Sequence, residues 1–161
     1  MAKLQKISPF LWFDGNAEEA VTLYTSIFGN SKIGQVMRNG DNGPGPKGSM
    51  LVMDFELEGQ QLHALNGGPM YKFTPAISFM ALCDDQKEVD RLWSSLTADG
   101  GKEVQCGWLE DKFGLSWQIV PKVFMEMIGD KDQAKVGRVM AAMMQMVKLD
   151  IKKLQAAYSG K

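Results

Sequence analysis

Hydrophobic and polar positions in the first half of this 161-residue chain follow a strand, helix, strand, strand, strand order. The segment ISPFLWFDG predicts a strand. AEEAVTLYTSIFG predicts a helix that begins with the capping spacing of Asn16 and Glu19 and ends at Gly29. Three further strands are predicted at residues 31–39, 49–59 and 60–66. This half is therefore predicted to be a β-α-β-β-β unit.

The second half repeats that order of elements. AISFMALCDD predicts a strand, Asp85 and Glu88 repeat the capping spacing, and QKEVDRLWSSLTADG predicts an amphipathic helix. Shorter strands are predicted at KEVQCGW and LEDKFG, and a last strand is predicted at LSWQIVP. Asn16 falls on Asp85 at an offset of 69 (85 − 16), and core positions of the two helices fall on one another at the same offset. An internal repeat explains the match.

Past Pro121 the pattern becomes helical, with segments at VFMEMIGD, KDQAKVGRVMAAMMQMV and DIKKLQAAY, where Asp150 is placed to cap the last. The predicted fold class is therefore α+β. Its first unit covers residues 5–69 and its second unit residues 73–121, the two together forming one domain, and a helical extension covers residues 122–161. The methionines of the extension fit either core packing or a contact with a partner.

Charge and composition exclude several classes of partner. The 18 basic and 19 acidic residues are spread along the chain, so no nucleic-acid partner and no membrane surface is expected. The first residues, MAKLQKISPF, hold no signal-peptide core, and no apolar run is long enough to span a membrane, so we expect a cytoplasmic protein. Cys83 and Cys106 lack the spacing of a zinc site and are interpreted as buried small apolar side chains.

Strand alternation predicts which side chains face away from the helices. Leu115, Trp117 and Ile119 form one apolar row of the last strand, and Ile77, Phe79 and Ala81 form another in the strand AISFMAL. In QQLHALN, Leu62 and Ala64 are predicted to face the helix while Gln61 and His63 face the other way. The candidate ligand-binding residues on this open face are His63, Ser78, Met80, Trp108, Ser116 and Gln118, with Trp108 expected to be partly exposed. A ligand site and a merely solvated face both fit this convergence.

Other residues invite functional interpretations that have plainer alternatives. His63, the single histidine, is either a general base or a hydrogen-bonded structural residue. Glu110 and Asp111 are predicted to lie in a solvated turn. The aromatic residues that either wall a pocket or belong to the core are Trp12, Phe13, Tyr71, Phe73 and Trp108.

Two glycine-rich segments lack a phosphate-binding context. NGDNGPGPKG has no GKS/T ending and no strand–turn–helix setting, so it is predicted to be a mobile hairpin loop, with a lid as one interpretation. GGP, at residues 67–69, is predicted to be the joint between the two units.

Several long blocks of the sequence resemble one known family: FLWFDGNAEEAVTLYTSIFGNSKI, GPGPKGSM, FELEGQQLHALNGGP, ISF and QCGWLEDKFGLSWQIVP. They are similar to the PhnB-like branch of the vicinal oxygen chelate superfamily, a branch labelled 3-demethylubiquinone-9 3-methyltransferase. The superfamily includes glyoxalases, ring-cleaving dioxygenases and bleomycin resistance proteins. The resemblance implies two units that form a cupped mixed sheet around a concave pocket. A methyltransferase of the usual kind needs a Gly-rich turn that opens a helix on a parallel sheet, and the sequence offers none.

The resemblance also implies where metal ligands stand in metal-dependent members, usually His, Glu, His and Glu. Carried over, those positions are Pro9, approximately His63, Ser78 and Gln118, with 78 − 9 = 69 and 118 − 63 = 55. Proline has no side-chain donor, a protonated serine is a poor ligand, and an amide carries no charge. No metal and no cofactor are therefore expected.

Two functions follow as hypotheses. The first is a small-molecule-binding protein with a metal-free pocket. The second is a metal-independent enzyme, of lyase, isomerase or transferase type, that uses His63 with Ser78 or Gln118 to move a proton or polarise a carbonyl.

A homodimer is also expected, because paired sheets leave edges that need covering. The sheet edges, an exchange of units and the C-terminal helices are all candidate interfaces.

Overall fold

The structure, a computed structural model, describes residues 5–161; the sequence interpretation of residues 1–4 lies outside that range. The chain divides into two compact units, one reaching Lys72 and one running from Phe73 to Lys161. The helices and strands of the first unit are β1 (Phe10–Phe13), α1 (Ala17–Ile27), β2 (Lys32–Arg38), β3 (Met50–Leu57) and β4 (Gln60–Asn66). They form a four-stranded sheet in the order β1-β4-β3-β2, in which β1 is parallel to β4 and the other pairs are antiparallel.

The second unit repeats this topology. It contains β5 (Ser78–Cys83), α2 (Gln86–Thr97), a 3₁₀ turn (Ala98–Gly100), β6 (Lys102–Glu103), β7 (Trp108–Glu110) and β8 (Ser116–Pro121). Its sheet has the order β5-β8-β7-β6, and again the first strand is parallel to the last. The structure thus confirms the predicted fold class: α+β, with two β-α-β-β-β units and C-terminal helices. The two short strands predicted at KEVQCGW and LEDKFG are present with other bounds: β6 ends at Glu103, and β7 ends at Glu110, where the chain turns.

Three helices complete the second unit: α3 (Lys122–Ile128), α4 (Gln133–Met143) and α5 (Ile151–Ser159). Apolar side chains of these helices and of the segments that connect them form one buried cluster with Val120 of β8. The other members of the cluster are Phe124, Met127, Val139, Met143, Met146, Leu149 and Leu154. The side chain of Gln86 joins this cluster to α2, because its amide donates to Leu149 O at 3.1 Å and its carbonyl accepts from Ile151 N at 2.8 Å. The C-terminal helices are therefore part of the second unit's core.

Burial follows the predicted strand faces in most places. Leu62 and Ala64 of β4, and Leu115, Trp117 and Ile119 in and before β8, are buried as predicted. Ile77 is 71% exposed, so its assignment to the packed row was wrong. It precedes the first paired residue of β5, where alternation no longer fixes a side chain's direction.

The helix starts show how different residues cap similar helices. Asp85 accepts from Glu88 N at 2.8 Å and Asp150 accepts from Lys153 N at 3.0 Å, as the sequence predicted. Asn16 is at the N-cap position of α1 but makes no side-chain cap bond, so the predicted capping of α1 was wrong while the helix itself was predicted correctly. The amide of Ala17 donates instead to the side chain of Asn66, at the end of β4. A residue 49 positions away thus caps α1.

The glycine-rich loop between β2 and β3 is organised around a buried polar side chain, that of Asn39. Its amide donates to Ser49 Oγ at 2.9 Å, its side-chain oxygen accepts from Gly45 N, and its backbone oxygen accepts from Gly48 N. A β-carbon on Gly43 would come within 2.5 Å of the Asn39 side chain. These contacts, which the sequence interpretation missed, hold the loop against its own strands.

Within residues 5–161, no helix combines the length and apolar character that crossing a membrane requires. Of the cysteines, Cys83 is buried as predicted, whereas Cys106 is half-exposed, so the prediction for Cys106 was wrong. Burial, followed by the nearby Glu88 carboxylate, raises the pKa of the Cys83 thiol to about 12. Cys83 is therefore a protonated apolar side chain at neutral pH.

Candidate functional site

Three strands of the first unit bring a row of side chains together on the sheet face opposite α1. Phe10 of β1 lies opposite His63 of β4, and His63 lies opposite Asp54 of β3. Their neighbours Leu11, Ala64 and Phe55 point to the other face and are buried there. We call the solvent-facing side of this sheet the open face of the first unit, and His63 stands at its centre.

The His63 imidazole contacts a different group on each side of the ring. Nδ1 lies 2.7 Å from Asp54 Oδ1, and Nε2 lies 2.9 Å from Ser8 Oγ. The ring of Phe10 is stacked on it at 5.3 Å between centroids. Because a carboxylate only accepts, the neutral ring donates its Nδ1–H to Asp54 and leaves the Nε2 lone pair for the Ser8 hydroxyl. The imidazole is thus held by a carboxylate and aimed at a hydroxyl.

Half-exposure keeps this group within reach of a ligand. The side chain of His63 is 31% exposed and that of Asp54 45%. Sequence reasoning missed both Ser8 and Asp54. The signal for Asp54 was present, because Val52, Asp54 and Glu56 alternate with the buried Met53, Phe55 and Leu57.

The second unit has a corresponding open face. Gln118 of β8 lies between Met80 of β5 and Trp108 of β7, and its amide donates to Ser78 Oγ at 2.9 Å. Met80 is 49% exposed and Trp108 is half-exposed. The structure therefore brings four of the six predicted ligand-binding residues together on this face, while His63 lies on the open face of the first unit.

The sixth predicted residue, Ser116, differs from the others because its side chain is buried. It pairs with Ser78 on one side and Glu110 on the other, yet it is only 4% exposed. The prediction of a solvent-facing Ser116 was therefore wrong. We therefore exclude Ser116 from the candidate site.

The register corrects one position carried over from the family resemblance. Phe10 lies opposite His63 while Met80 lies opposite Gln118, so the strands β1 and β5 correspond at an offset of 70 (80 − 10). The residue equivalent to Ser78 is therefore Ser8, not Pro9. The helices keep the offset of 69 because three residues separate β1 from α1 and two separate β5 from α2. Gly15, at φ +81°, accommodates the additional residue.

The corrected positions do not fit a divalent metal. They are Ser8, His63, Ser78 and Gln118, which supply two neutral hydroxyls, one amide and one imidazole. The imidazole already contacts Asp54 and Ser8, and the Gln118 amide contacts Ser78. Among residues 5–161, no group of three or more His, Cys, Asp or Glu side chains is placed to hold a metal ion. This donor set lacks the charge that such an ion requires.

We expect the purified protein to contain no stoichiometric Zn, Ni, Mn or Fe, and its melting temperature to stay constant when these ions are added. A tight site would raise stability by mass action. Elemental analysis and thermal melts measure both quantities. About one equivalent of metal that disappears in His63→Ala would contradict this expectation.

The turn before β8 also differs from the sequence interpretation. Asp111, predicted to be solvated, is 1% exposed. Its Oδ1 accepts from Phe113 N at 2.9 Å and from Leu115 N at 3.0 Å, and its Oδ2 accepts from Trp117 Nε1 at 2.9 Å. Glu110 is half-buried and pairs with Lys102 at 2.9 Å. The Asp111 carboxylate therefore has a structural role, since it satisfies donors inside the unit.

The aromatic residues proposed as pocket walls divide between core and surface. Phe13 is 2% exposed and belongs to the core, which is the second of the two interpretations that the sequence left open. Trp12 is half-exposed, donates its N–H to Gly68 O at 2.8 Å and meets the Tyr71 ring edge-on. The GGP segment thus packs within the first unit.

A cavity of the second unit lies away from these residues, between the N-terminal ends of α2 and α5. Its lining contains Asp84, Asp85, Gln86, Val123, Asp150, Ile151, Lys152 and Gln155. Asp85 and Asp150 cap the two helices, and the side chain of Gln86 accepts a hydrogen bond from Ile151 N at the start of α5. Their polar groups are engaged in joining α2 to the C-terminal helices, so we assign this cavity a structural role.

Comparison with known proteins identifies the same family as the sequence blocks. A family model described as 3-demethylubiquinone-9 3-methyltransferase matches residues 5–120. A Bacillus cereus protein described as PhnB is 36% identical, with a TM-score of 0.67, over 73% of this chain and 99% of its own. No curated protein matches the chain.

Two further solved structures are similar at lower identity. The protein PA1353 from Pseudomonas aeruginosa is 24% identical, with a TM-score of 0.60, over 74% of this chain and 98% of its own. A glyoxalase/bleomycin resistance protein from Albidiferax ferrireducens T118 is 12% identical, with a TM-score of 0.48, over 73% of this chain and 99% of its own. The likeness to PA1353 shows the fold alone.

Proposed function

Because the chain belongs to the 3-demethylubiquinone-9 3-methyltransferase family, the PhnB-like branch of the vicinal oxygen chelate superfamily, we propose that it binds a small, partly apolar molecule without a metal ion. Membership of that superfamily supports a small-molecule-binding, glyoxalase-like protein. We propose in addition that binding needs no metal ion and that residues of the two open faces contact the ligand.

One observation carries the proposal. At the corresponding place on each open face, a serine hydroxyl is hydrogen-bonded to a side chain of the unit's last strand. The two pairs are Ser8 with His63 of β4 and Ser78 with Gln118 of β8. Exposed apolar side chains flank both pairs, since Phe10 is 57% exposed and Met80 49%. A few polar groups that fix orientation, beside apolar surface that supplies contact area, are typical of small-molecule sites.

We expect His63→Ala and Gln118→Ala to weaken ligand binding about 10-fold, while each lowers the free energy of unfolding by less than about 1 kcal/mol, because both side chains lie on open faces. The probe is a fragment set of small aryl amides and ketones. Backbone-amide NMR titration of the wild type locates the hits, and the same titration of each variant measures the affinity.

Gln60→Ala is the matched control, because Gln60 is exposed in β4 and its amide bonds only the neighbouring backbone of Gln61 among the described contacts. It should leave the affinity unchanged. Hits whose shifts lie outside β4 and β8, or hits that both variants bind as tightly as the wild type, would contradict the proposal.

The methyltransferase in the family's description is not part of this proposal. The glycine-rich segment lies between β2 and β3, which are antiparallel neighbours, and it is folded around Asn39. A nucleotide-type cofactor loop instead opens a helix after a parallel strand. This loop therefore has the wrong setting for that chemistry.

The contact between Asp54 and His63 favours a second candidate function, a metal-independent enzyme in which His63 moves a proton. A carboxylate on Nδ1 fixes the tautomer and stabilises the imidazolium that forms when Nε2 takes a proton. The sequence hypothesis named Ser78 or Gln118 as the residues that work with His63. In the structure, His63 Nε2 contacts Ser8 Oγ.

We also propose a homodimer. The outer strands of the two sheets are β1 and β2, and β5 and β6, and β2 is exposed along its whole length. Such edges invite pairing. Light scattering at micromolar concentration should give twice the chain mass of 17.9 kDa, whereas a mass of 17.9 kDa that dilution and concentration leave unchanged would contradict a dimer.

A further inference from the structure

Ser8, His63 and Asp54 form a hydroxyl–imidazole–carboxylate chain on the open face of the first unit. Ser8 Oγ lies 2.9 Å from His63 Nε2, and His63 Nδ1 lies 2.7 Å from Asp54 Oδ1. We propose that Ser8 is a nucleophile that accepts the acyl group of small, uncharged, activated esters. The proposal rests on the second function above, in which His63 takes a proton, and adds the group that reacts and the class of substrate.

The order of contacts along the chain is what nucleophile activation requires. A serine hydroxyl is a weak nucleophile unless an adjacent base takes its proton, and that base works best when a third group orients it. Asp54 occupies Nδ1, so the Nε2 lone pair faces Ser8. Such triads are recognised by geometry and not by order in the sequence.

The backbone holds Ser8 beside the imidazole. Pro9, the next residue, accepts a hydrogen bond from His63 N at 3.0 Å, so the two chain segments are joined immediately next to the reacting groups. Phe10 follows and stacks on the His63 ring, which opposes rotation of the imidazole away from Ser8. The contact between Oγ and Nε2 is thus fixed from two directions.

The repeat provides an internal comparison. Ser78 occupies the equivalent position in the second unit and also has a partner at 2.9 Å, but that partner is the Gln118 amide, which donates to it. An amide nitrogen cannot take a proton from a hydroxyl. The two serines therefore share their place in the fold, and only Ser8 has a base.

The proposed step is an acyl transfer to serine. Ser8 Oγ attacks the ester carbonyl carbon while His63 Nε2 takes the hydroxyl proton. The tetrahedral intermediate collapses as the bond from carbon to the leaving oxygen breaks, and His63 returns the proton to that oxygen. The products are acyl-Ser8 and an alcohol. Water that attacks the acyl group, again with His63 as base, releases the acid and restores Ser8.

The surroundings define the substrate class. Asp54 is 45% exposed, and Glu56, on the same strand face, pairs with Lys32 at 3.1 Å. A carboxylate beside the reacting atoms disfavours anionic substrates. The exposed Phe10 ring offers a flat apolar surface to an aryl leaving group. These features together favour uncharged aryl esters of small acids.

The test uses p-nitrophenyl acetate and an uncharged alkyl fluorophosphonate, with peptide mapping by mass spectrometry. We expect both probes to label Ser8 of the wild type and to leave Ser78 unlabelled. Ser8→Ala should abolish labelling at this peptide, and His63→Gln should slow it about 100-fold. Ser26→Ala, a change at an exposed serine of α1, should behave as the wild type.

Asp54 is a positioning residue, so its test needs a spectroscopic readout. Asp54→Asn should slow acylation and also redistribute the hydrogen between the two ring nitrogens, which imidazole ¹⁵N NMR measures. Asp54→Glu, which keeps a carboxylate, should restore the wild-type tautomer. An unchanged tautomer in Asp54→Asn would overturn this assignment.

The outcomes separate this proposal from the one on which it rests. Labelling confined to lysines, or equal labelling of Ser8 and Ser78, would overturn it. Ester hydrolysis that survives in Ser8→Ala but is lost in His63→Gln would overturn the covalent step and leave His63 as a base. Ester hydrolysis that neither Ser8→Ala nor His63→Gln slows would overturn the enzyme proposal as well.

Discussion

Trp117→Ala is expected to lower the free energy of unfolding of the second unit by about 3–5 kcal/mol. Its side chain is 2% exposed, meets the Phe79 ring edge-on at 5.4 Å and donates its N–H to Asp111 at 2.9 Å. Truncation leaves a cavity under α2 and removes the donor as well. Urea denaturation followed by circular dichroism measures the change.

Trp108→Ala is the matched control, because the same side chain is lost from the half-exposed face of the same sheet. It should cost less than about 1.5 kcal/mol. The reverse ranking would mean that the two faces of β8 have been interchanged in our assignment. Trp117→Phe keeps most of the ring volume, so its loss of unfolding free energy should lie between the losses of Trp108→Ala and Trp117→Ala.

Asp111→Ala is expected to cost about 3 kcal/mol or more, although the residue lies in a turn. The substitution leaves the N–H groups of Phe113, Leu115 and Trp117 without their acceptor, and Leu115 and Trp117 are buried. A buried donor without an acceptor costs the full desolvation of that group. Chemical denaturation of the variant tests the size of the loss.

Glu110→Ala serves as the comparison, since this neighbouring carboxylate pairs with a Lys102 side chain that is 70% exposed. Exposed ion pairs contribute about 0–1 kcal/mol. If Glu110→Ala and Asp111→Ala were equally mild, the buried role of Asp111 would be wrong. Combining Asp111→Ala with Trp117→Phe should cost less than the sum of the two, because the variants remove a shared hydrogen bond.

The sequence predicted the fold because its alternation is strict where one sheet face is buried. Leu62 and Ala64, and Trp117 and Ile119, repeat every second residue and are buried beside the helices. Ser116 shows where the pattern stops being informative. Alternation assigns a side chain to a face, but the exposure of that face depends on what neighbouring strands place over it.

The error at Pro9 has a different cause. A constant offset taken from the helices was applied to a strand on the other side of a one-residue insertion, so Pro9 took the place of Ser8. Only strand register, which places Phe10 opposite His63 and Met80 opposite Gln118, detects such a shift. The Ser8–His63–Asp54 chain was therefore hidden, because residues 8, 54 and 63 meet only through that register.

Asp111 carried a signal that the sequence interpretation did not use. In DKFG, an aspartate stands three residues before a glycine, which is a type I turn pattern. The structure has the corresponding bond from Gly114 N to Asp111 O at 2.9 Å, with Gly114 at φ +88°. The pattern identifies a turn, but whether its carboxylate points outward or inward depends on the indole of Trp117.

Because the C-terminal helices belong to the core of the second unit, the two units become complete at different stages of synthesis. Strands β1–β4 all precede residue 67, so the first sheet has every strand once that residue has left the ribosome. In the second unit, the buried cluster that contains Val120 is complete only after Leu149 and Leu154 have been synthesised, and the side chain of Gln86 gains its hydrogen bond from Ile151 N only after that residue has been added. A nascent chain stalled near residue 121 would therefore carry an unfinished apolar surface, the kind to which chaperones bind.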